Sequence, residues 1–183
     1  MGIIRQLVGR TRKGYQKMSN MDAILQRLSK VPTFTIYDLL DSGEVVPEYE
    51  LPTSQIIAEL LLLEENLVEQ IGVIPAEIMN WGRMVARAKR VWETEERNYR
   101  IWRDTFYLEL LRVSEGAKKP TEALLTSTIR STVEYRQWYE RIERAEESHN
   151  ALLAVLEGWR AKKELVRTAV VRQFENAAPQ IGV

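Results

Sequence analysis

The chain has 183 residues and no cysteine, with 26 basic residues balancing 26 acidic ones and a single histidine, His149. Its hydrophobic content of 45% and charged content of 28% fit one soluble, core-forming domain and exclude collagen-like, mucin-like and membrane classes. Without cysteine, and with one imidazole, disulfides, thiolate zinc sites, cysteine nucleophiles and paired-histidine metal or proton-relay chemistry are excluded.

The zero net charge is strongly segregated. Residues 1–30 carry seven basic groups against one acid, Asp22, whereas residues 31–80 carry ten acids and no base. Residues 81–113 return to basic, eight against five, and residues 114–183 are nearly balanced, eleven against ten. Charge separated on this scale fits a tail that touches an anionic partner, or a contact between the two blocks within or between subunits. A merely solvated surface is the bland alternative.

Residues 1–30 read as a basic arm in which Arg5, Arg10, Arg12, Lys13 and Lys17 are candidate contacts for DNA or a partner. The arm lacks the serine-rich character of a transit peptide, and Gln6 stands where a myristoylation signal needs Ser or Thr. A helix is expected from Asp22 to Leu28, with Asp22 as its cap and Ile24, Leu25 and Leu28 on one face. With so little apolar periodicity, the arm is expected to be dispensable for folding. Residues 31–52 read as an acidic connector with at most a short extended piece, because Pro32, Pro47, Pro52 and Gly43 deny it a continuous helix.

The helical body, residues 53–175, is expected to open with a helix capped by Thr53 or Ser54 and running to about Gln70. Its apolar residues lie on more than one side. Gly72 is expected to end that helix and Pro75 to open the next as its first residue. From Pro75 to about Val113, Trp81, Val85, Ala88, Trp92, Glu95, Tyr99, Trp102, Phe106, Glu109 and Val113 follow at alternating steps of four and three. That is a heptad seam with Glu95 and Glu109 as polar exceptions. Gly116 and Pro120 break it, and a short helix starts near Thr121 and holds Leu124, Leu125, Ile129 and Val133. The last helix repeats the seam through Tyr135, Trp138, Ile142, Ala145, His149, Leu152, Leu156, Trp159, Lys163, Val166, Val170 and Gln173, nine of the twelve apolar. Two such seams predict an all-α fold: a long antiparallel, coiled-coil-like hairpin with extra helices, forming oligomers because its apolar surface exceeds what one hairpin buries. Residues 176–183 read as a tail. Apolar runs such as Leu60 to Leu63 are far too short to cross a membrane.

Enzyme signatures fail one by one. Gly9 to Gly14 has the glycine spacing of a phosphate loop, but Tyr15 and Gln16 follow where Lys and Ser or Thr are required. Glu146, Glu147, Ser148 and His149 hold one Glu-x-x-His step where a di-iron bundle needs two. Acid clusters such as Glu93, Glu95 and Glu96 fit ion-paired helix faces better than a Mg²⁺ site. The five tryptophans all fall on the seams and fit core packing. No cofactor, metal site or catalytic residue is expected, and the chain should neither hydrolyse ATP nor cut or join DNA.

The basic groups are more informative. Arg83, Arg87, Arg90 and Arg97 follow helical spacing, Arg100, Arg103 and Tyr107 continue around the helix, and Lys118 and Lys119 lie beyond. Such a row fits either a face that follows a phosphate backbone, with Tyr107 stacking on unpaired bases, or a set of ion-paired surface residues.

Lys119, Pro120, Thr121, Glu122 and Ala123, then a short helix ending near Tyr135 and a long helix through Leu153, Glu157, Gly158 and Arg160 to Lys163, resemble the phage UvsY-type recombination mediators. The resemblance covers about Ser54 to Glu175 and is one of helices and spacing. It implies a ring-forming, all-helical, non-enzymatic protein of the host-cell cytoplasm that binds single-stranded DNA beside a single-strand-binding protein. Such a protein helps load a RecA-type recombinase. The family's Lys/Arg-plus-Tyr DNA contact corresponds to Arg100, Arg103 and Tyr107, although Thr105 and Phe106 intrude and the basic spacing is not kept. Its oligomerisation helix corresponds to the last helix here, with Trp138, Ile142, Leu152, Leu156, Trp159 and Val166 on the expected interface. Residues 1–52 have no counterpart. A phage structural or scaffolding oligomer, with a basic arm against nucleic acid, is the other expectation from the same features.

Overall fold

The computed structural model describes the backbone of residues 12–113 and 120–177, and the side chains of residues 20–113 and 120–175. The elements are α1 (Arg12–Leu28), β1 (Thr33–Leu39), β2 (Val45–Pro52), α2 (Thr53–Leu61), α3 (Leu67–Val113), α4 (Glu122–Arg130) and α5 (Val133–Ala177). The described chain is mostly helical, but β1 and β2 pair as a two-stranded sheet, which corrects the all-α expectation. Phe34 and Ile36 bury one face of β1 at a period of two. Both strands are edges, so Pro47 need not donate to an inner ladder. Gly43 takes a φ of +82° in the connecting turn, where its amide donates to the Leu40 carbonyl and the Leu40 amide donates to Glu44.

The chain divides into two compact units that interleave the arm, the connector and the body. Of the described residues, one holds those up to Phe34, Glu50–Val85 and those from Asn150; the other holds Thr35–Tyr49 and those from Ala86 to His149.

In the first unit, α1 packs on α2 and buries Met21, Ile24 and Leu28 at steps of three and four. The described end of the arm is therefore part of a core, contrary to the expectation that residues 1–30 are dispensable for folding. Asp22 lies inside α1 and caps nothing, because the helix begins earlier than the apolar spacing alone indicated. Nor does Thr53 cap α2. Its amide donates to Pro32 at 3.0 Å and its hydroxyl to Val31, tying the start of α2 to the end of α1.

The expected helix to Gln70 stops at Leu62, where the backbone turns extended (φ −68°, ψ 119°) without Gly or Pro. The Gln70 side chain secures this break: Nε2 donates to the Leu62 carbonyl at 3.0 Å and Oε1 accepts from the Glu64 amide. Asn66 then caps α3 by accepting from the Glu69 amide at 3.2 Å. Gly72 and Pro75, expected to separate two helices, both lie within α3. An interior proline costs about 3 kcal/mol of helix propensity, and the burial of neighbouring Ile74 and of Trp81 supplies the packing that holds this turn helical.

On α5 in the same unit, Leu152, Leu156, Trp159 and Val166 are all buried. These are the residues expected to meet a second copy. Their surface is already spent inside the chain, and that assignment is corrected. Buried Lys162 donates Nζ to the Glu59 carbonyl in the last turn of α2 at 2.6 Å and lies 4.8 Å from the Trp159 ring. Burial pushes its pKa below the usual lysine value.

In the second unit, α3 and α5 run antiparallel. Trp92 faces His149 with ring centroids 5.7 Å apart, Tyr99 faces Tyr139 at 5.6 Å, and Trp102 faces Trp138 at 6.4 Å. The Trp92–His149 and Trp102–Trp138 contacts are the pairing that the two heptad seams predict, with Trp138 and Ile142 half-buried. The β-hairpin is held to the helices at two points. Arg87 pairs with Asp38 at 2.9 Å and with Glu48, and the Ser148 hydroxyl donates to the Thr35 carbonyl at 2.6 Å. The short helix starts where expected; Thr121 caps α4 by accepting from the Leu124 amide, and α4 buries Leu125 and Ile129.

Candidate functional site

Tyr99, Arg103 and Tyr107 stand at i, i+4 and i+8 on α3, so they form one stripe along the helix. On α4, Glu122, Thr126, Ile129 and Arg130 share a face. On α5, Tyr135 and Tyr139 are one turn apart. These three faces, together with Asp104, line a cavity of about 530 Å³ inside the second unit.

At one end of the cavity the rings form a cluster. Tyr135 and Tyr139 lie 4.6 Å apart, and Tyr99 meets both edge-on, at 6.2 and 5.6 Å. A side-chain hydrogen bond with Tyr139, followed by burial, pushes the Tyr135 hydroxyl up to about 12. Burial, then the neighbouring Tyr139, also raises Tyr99. The Tyr99 and Tyr135 phenols are therefore uncharged hydrogen-bonding groups on aromatic faces at neutral pH. Tyr107 lies about 12 Å further along α3 than Tyr99, is half-buried and makes no ring contact among the described residues, and its ring lines the cavity.

Arg103 sits midway between the rings. Its Nε and Nη2 both donate to Asp104 Oδ1, at 3.0 and 2.9 Å. The cavity wall therefore holds two guanidinium groups, Arg103 and Arg130, and two carboxylates, Asp104 and Glu122.

Among the described residues, the structure brings two of the expected DNA-binding residues, Arg103 and Tyr107, into this cavity. Arg87 is committed to Asp38 and Glu48 on the hairpin, so its assignment to a free phosphate-binding row is corrected. Arg100 pairs with Glu96 at 3.1 Å. Arg83 is exposed, with its guanidinium 3.9 Å from the Met79 sulfur. Arg90 and Arg97 are exposed and make no ion pair among the described residues. Arg5, Arg10, Lys118 and Lys119 lie outside the described residues. Arg12, Lys13 and Lys17 fall on the backbone of α1, and their side chains lie outside those described.

Sequence reasoning missed Glu122, Thr126, Arg130 and Tyr139 as site residues and placed Tyr99 and Tyr135 in the seam alone. The available signal was the Tyr135–Tyr139 repeat at one helical turn, which adds a second aromatic position just beside the seam. His149 packs on Trp92, and its Nδ1 is buried without a hydrogen-bond partner among the described residues. Among the described residues no three His, Asp or Glu side chains converge as a metal-ligand set, and no helix is long and apolar enough to cross a membrane. No family model, curated protein or solved structure matches this chain.

Proposed function

We propose that the protein is a non-enzymatic recombination mediator that binds single-stranded DNA and helps a RecA-type recombinase replace a single-strand-binding protein. The observation that carries this reading is the convergence of Arg103 and Tyr107 with Arg130 and three further tyrosines in one open cavity. Guanidinium groups and aromatic faces together are the chemistry by which proteins hold unpaired strands. Exposed Arg90 and Arg97, free of ion pairs among the described residues, add positive charge along α3 for the phosphate backbone.

The test is fluorescence anisotropy with short single-stranded oligonucleotides at rising salt. Log K is expected to fall linearly with log salt, by about 0.7 for each phosphate neutralised, and to be insensitive to sequence. Replacing exposed Arg90 and Arg97 together should flatten the slope by roughly 1.4 per subunit engaged. Absence of binding at low salt would reject the reading.

A structural or scaffolding oligomer is the second reading. It is favoured by the exposed apolar side chains Leu61, Leu62 and Leu63 in the first unit and Ile101 and Leu108 in the second. Oligomer formation without affinity for single strands supports it over the first. A ring of copies belongs to the mediator reading, and light scattering that shows only a 21.3 kDa monomer at micromolar concentration would reject both assemblies.

A further inference from the structure

The charge of the cavity does not suit a phosphate. Two guanidinium groups are balanced by two carboxylates, and Arg103 is held by Asp104 through two hydrogen bonds. What the cavity offers instead is flat aromatic surface with both donors and acceptors at its edge. Arg103 and Arg130 donate, Asp104 and Glu122 accept, and the tyrosine hydroxyls do either.

We propose that the tyrosine cavity of α3, α4 and α5 receives a single unpaired nucleobase, turned out of the bound strand and stacked on Tyr107. This rests on the single-strand reading above and adds a base-binding subsite to it. The volume of about 530 Å³ lies in the range of sites for small ligands, so it admits a base with part of its sugar. A paired base cannot enter, because its hydrogen-bonding edge is occupied and its faces are stacked. Every unpaired base presents a π-face together with donors and acceptors, so the subsite discriminates against duplex and against missing bases without reading sequence. The phosphates stay outside, on the exposed arginines of α3.

Anisotropy with two oligonucleotides of equal length and charge tests this, one of thymidine units and one of abasic units. The full chain should bind the thymidine strand about 5- to 100-fold more tightly. Tyr107→Ala should bring its affinity for the thymidine strand down to that for the abasic one and leave the salt slope unchanged, while Tyr107→Phe keeps the preference. Tyr107 makes no ring contact, so this variant is expected to fold, and circular dichroism checks it. Equal binding of both strands by the wild type overturns the base subsite and leaves the single-strand reading standing. The same holds if the preference survives in both Tyr107→Ala and Tyr139→Ala. Binding of neither strand overturns the subsite and the single-strand reading together.

Discussion

The carboxylate of Glu95, buried among the helices of the second unit, accepts a 2.8 Å hydrogen bond from the guanidinium of Arg141. The pair explains why a heptad seam tolerates an acid. Arg141 lies beside the α5 seam, is about half exposed, and lays its guanidinium 4.5 Å from the centroid of the Trp138 ring. It keeps its charge near water while reaching the buried carboxylate.

Removing the arginine should therefore cost more than removing both charges. Arg141→Ala leaves a buried carboxylate without its cation and is expected to lower stability by about 2 to 4 kcal/mol. Glu95→Leu combined with Arg141→Ala should be less destabilised than Arg141→Ala alone. Urea midpoints of the wild type, the two single variants and the double variant measure the coupling.

Gly158 on α5 lies directly beneath Leu60 of α2, and a Cβ placed on it would stand 2.7 Å from Leu60 Cδ1. Alanine at an exposed helix position gains about 1 kcal/mol over glycine. Here the Leu60 side chain is buried and has little room to move, so Gly158→Ala should destabilise by about 1 to 2 kcal/mol through overpacking. In a Leu60→Ala background the same substitution should become stabilising. Thermal melts of the four proteins check the change of sign.

The raised tyrosines predict an alkaline limit to stability. An unfolded tyrosine ionises near 10, whereas the folded protein holds the Tyr135 proton until about 12. The proton is bound more tightly in the folded state, so the contribution is fully present below about pH 10 and drains away as pH rises towards 12. Tyr135→Phe should show a shallower loss of stability over that interval. Denaturant unfolding at about pH 8, 10 and 11.5 measures it, and ultraviolet titration of the folded protein should reveal late-ionising phenols.

Leu28 tests the place of α1 in the first unit. It is 2% exposed, and Leu28→Ala should cost about 2 to 5 kcal/mol. Unchanged melting would mean instead that this helix is only an electrostatic arm.

The sequence by itself determined the α3–α5 pairing of the second unit. Seam spacing is local information, and a 3.5-residue period forces Trp92, Tyr99 and Trp102 to one side wherever the helix lies. The start of α4 near Thr121 was legible too, because the Gly116 and Pro120 that precede it are local signals. Tertiary structure decided the rest. The break at Leu62 carries no Gly or Pro and depends on Gln70 reaching back across it, while Pro75 stays helical because Ile74 and Trp81 are buried around it. The hairpin has only weak alternation, and its prolines mimic a linker; its edges are fixed by Arg87, whose partners Asp38 and Glu48 are far away in the chain. The cavity was least legible. Arg103, Arg130 and Tyr139 lie on three different helices, and no periodicity within one segment can say which side chains another segment will meet.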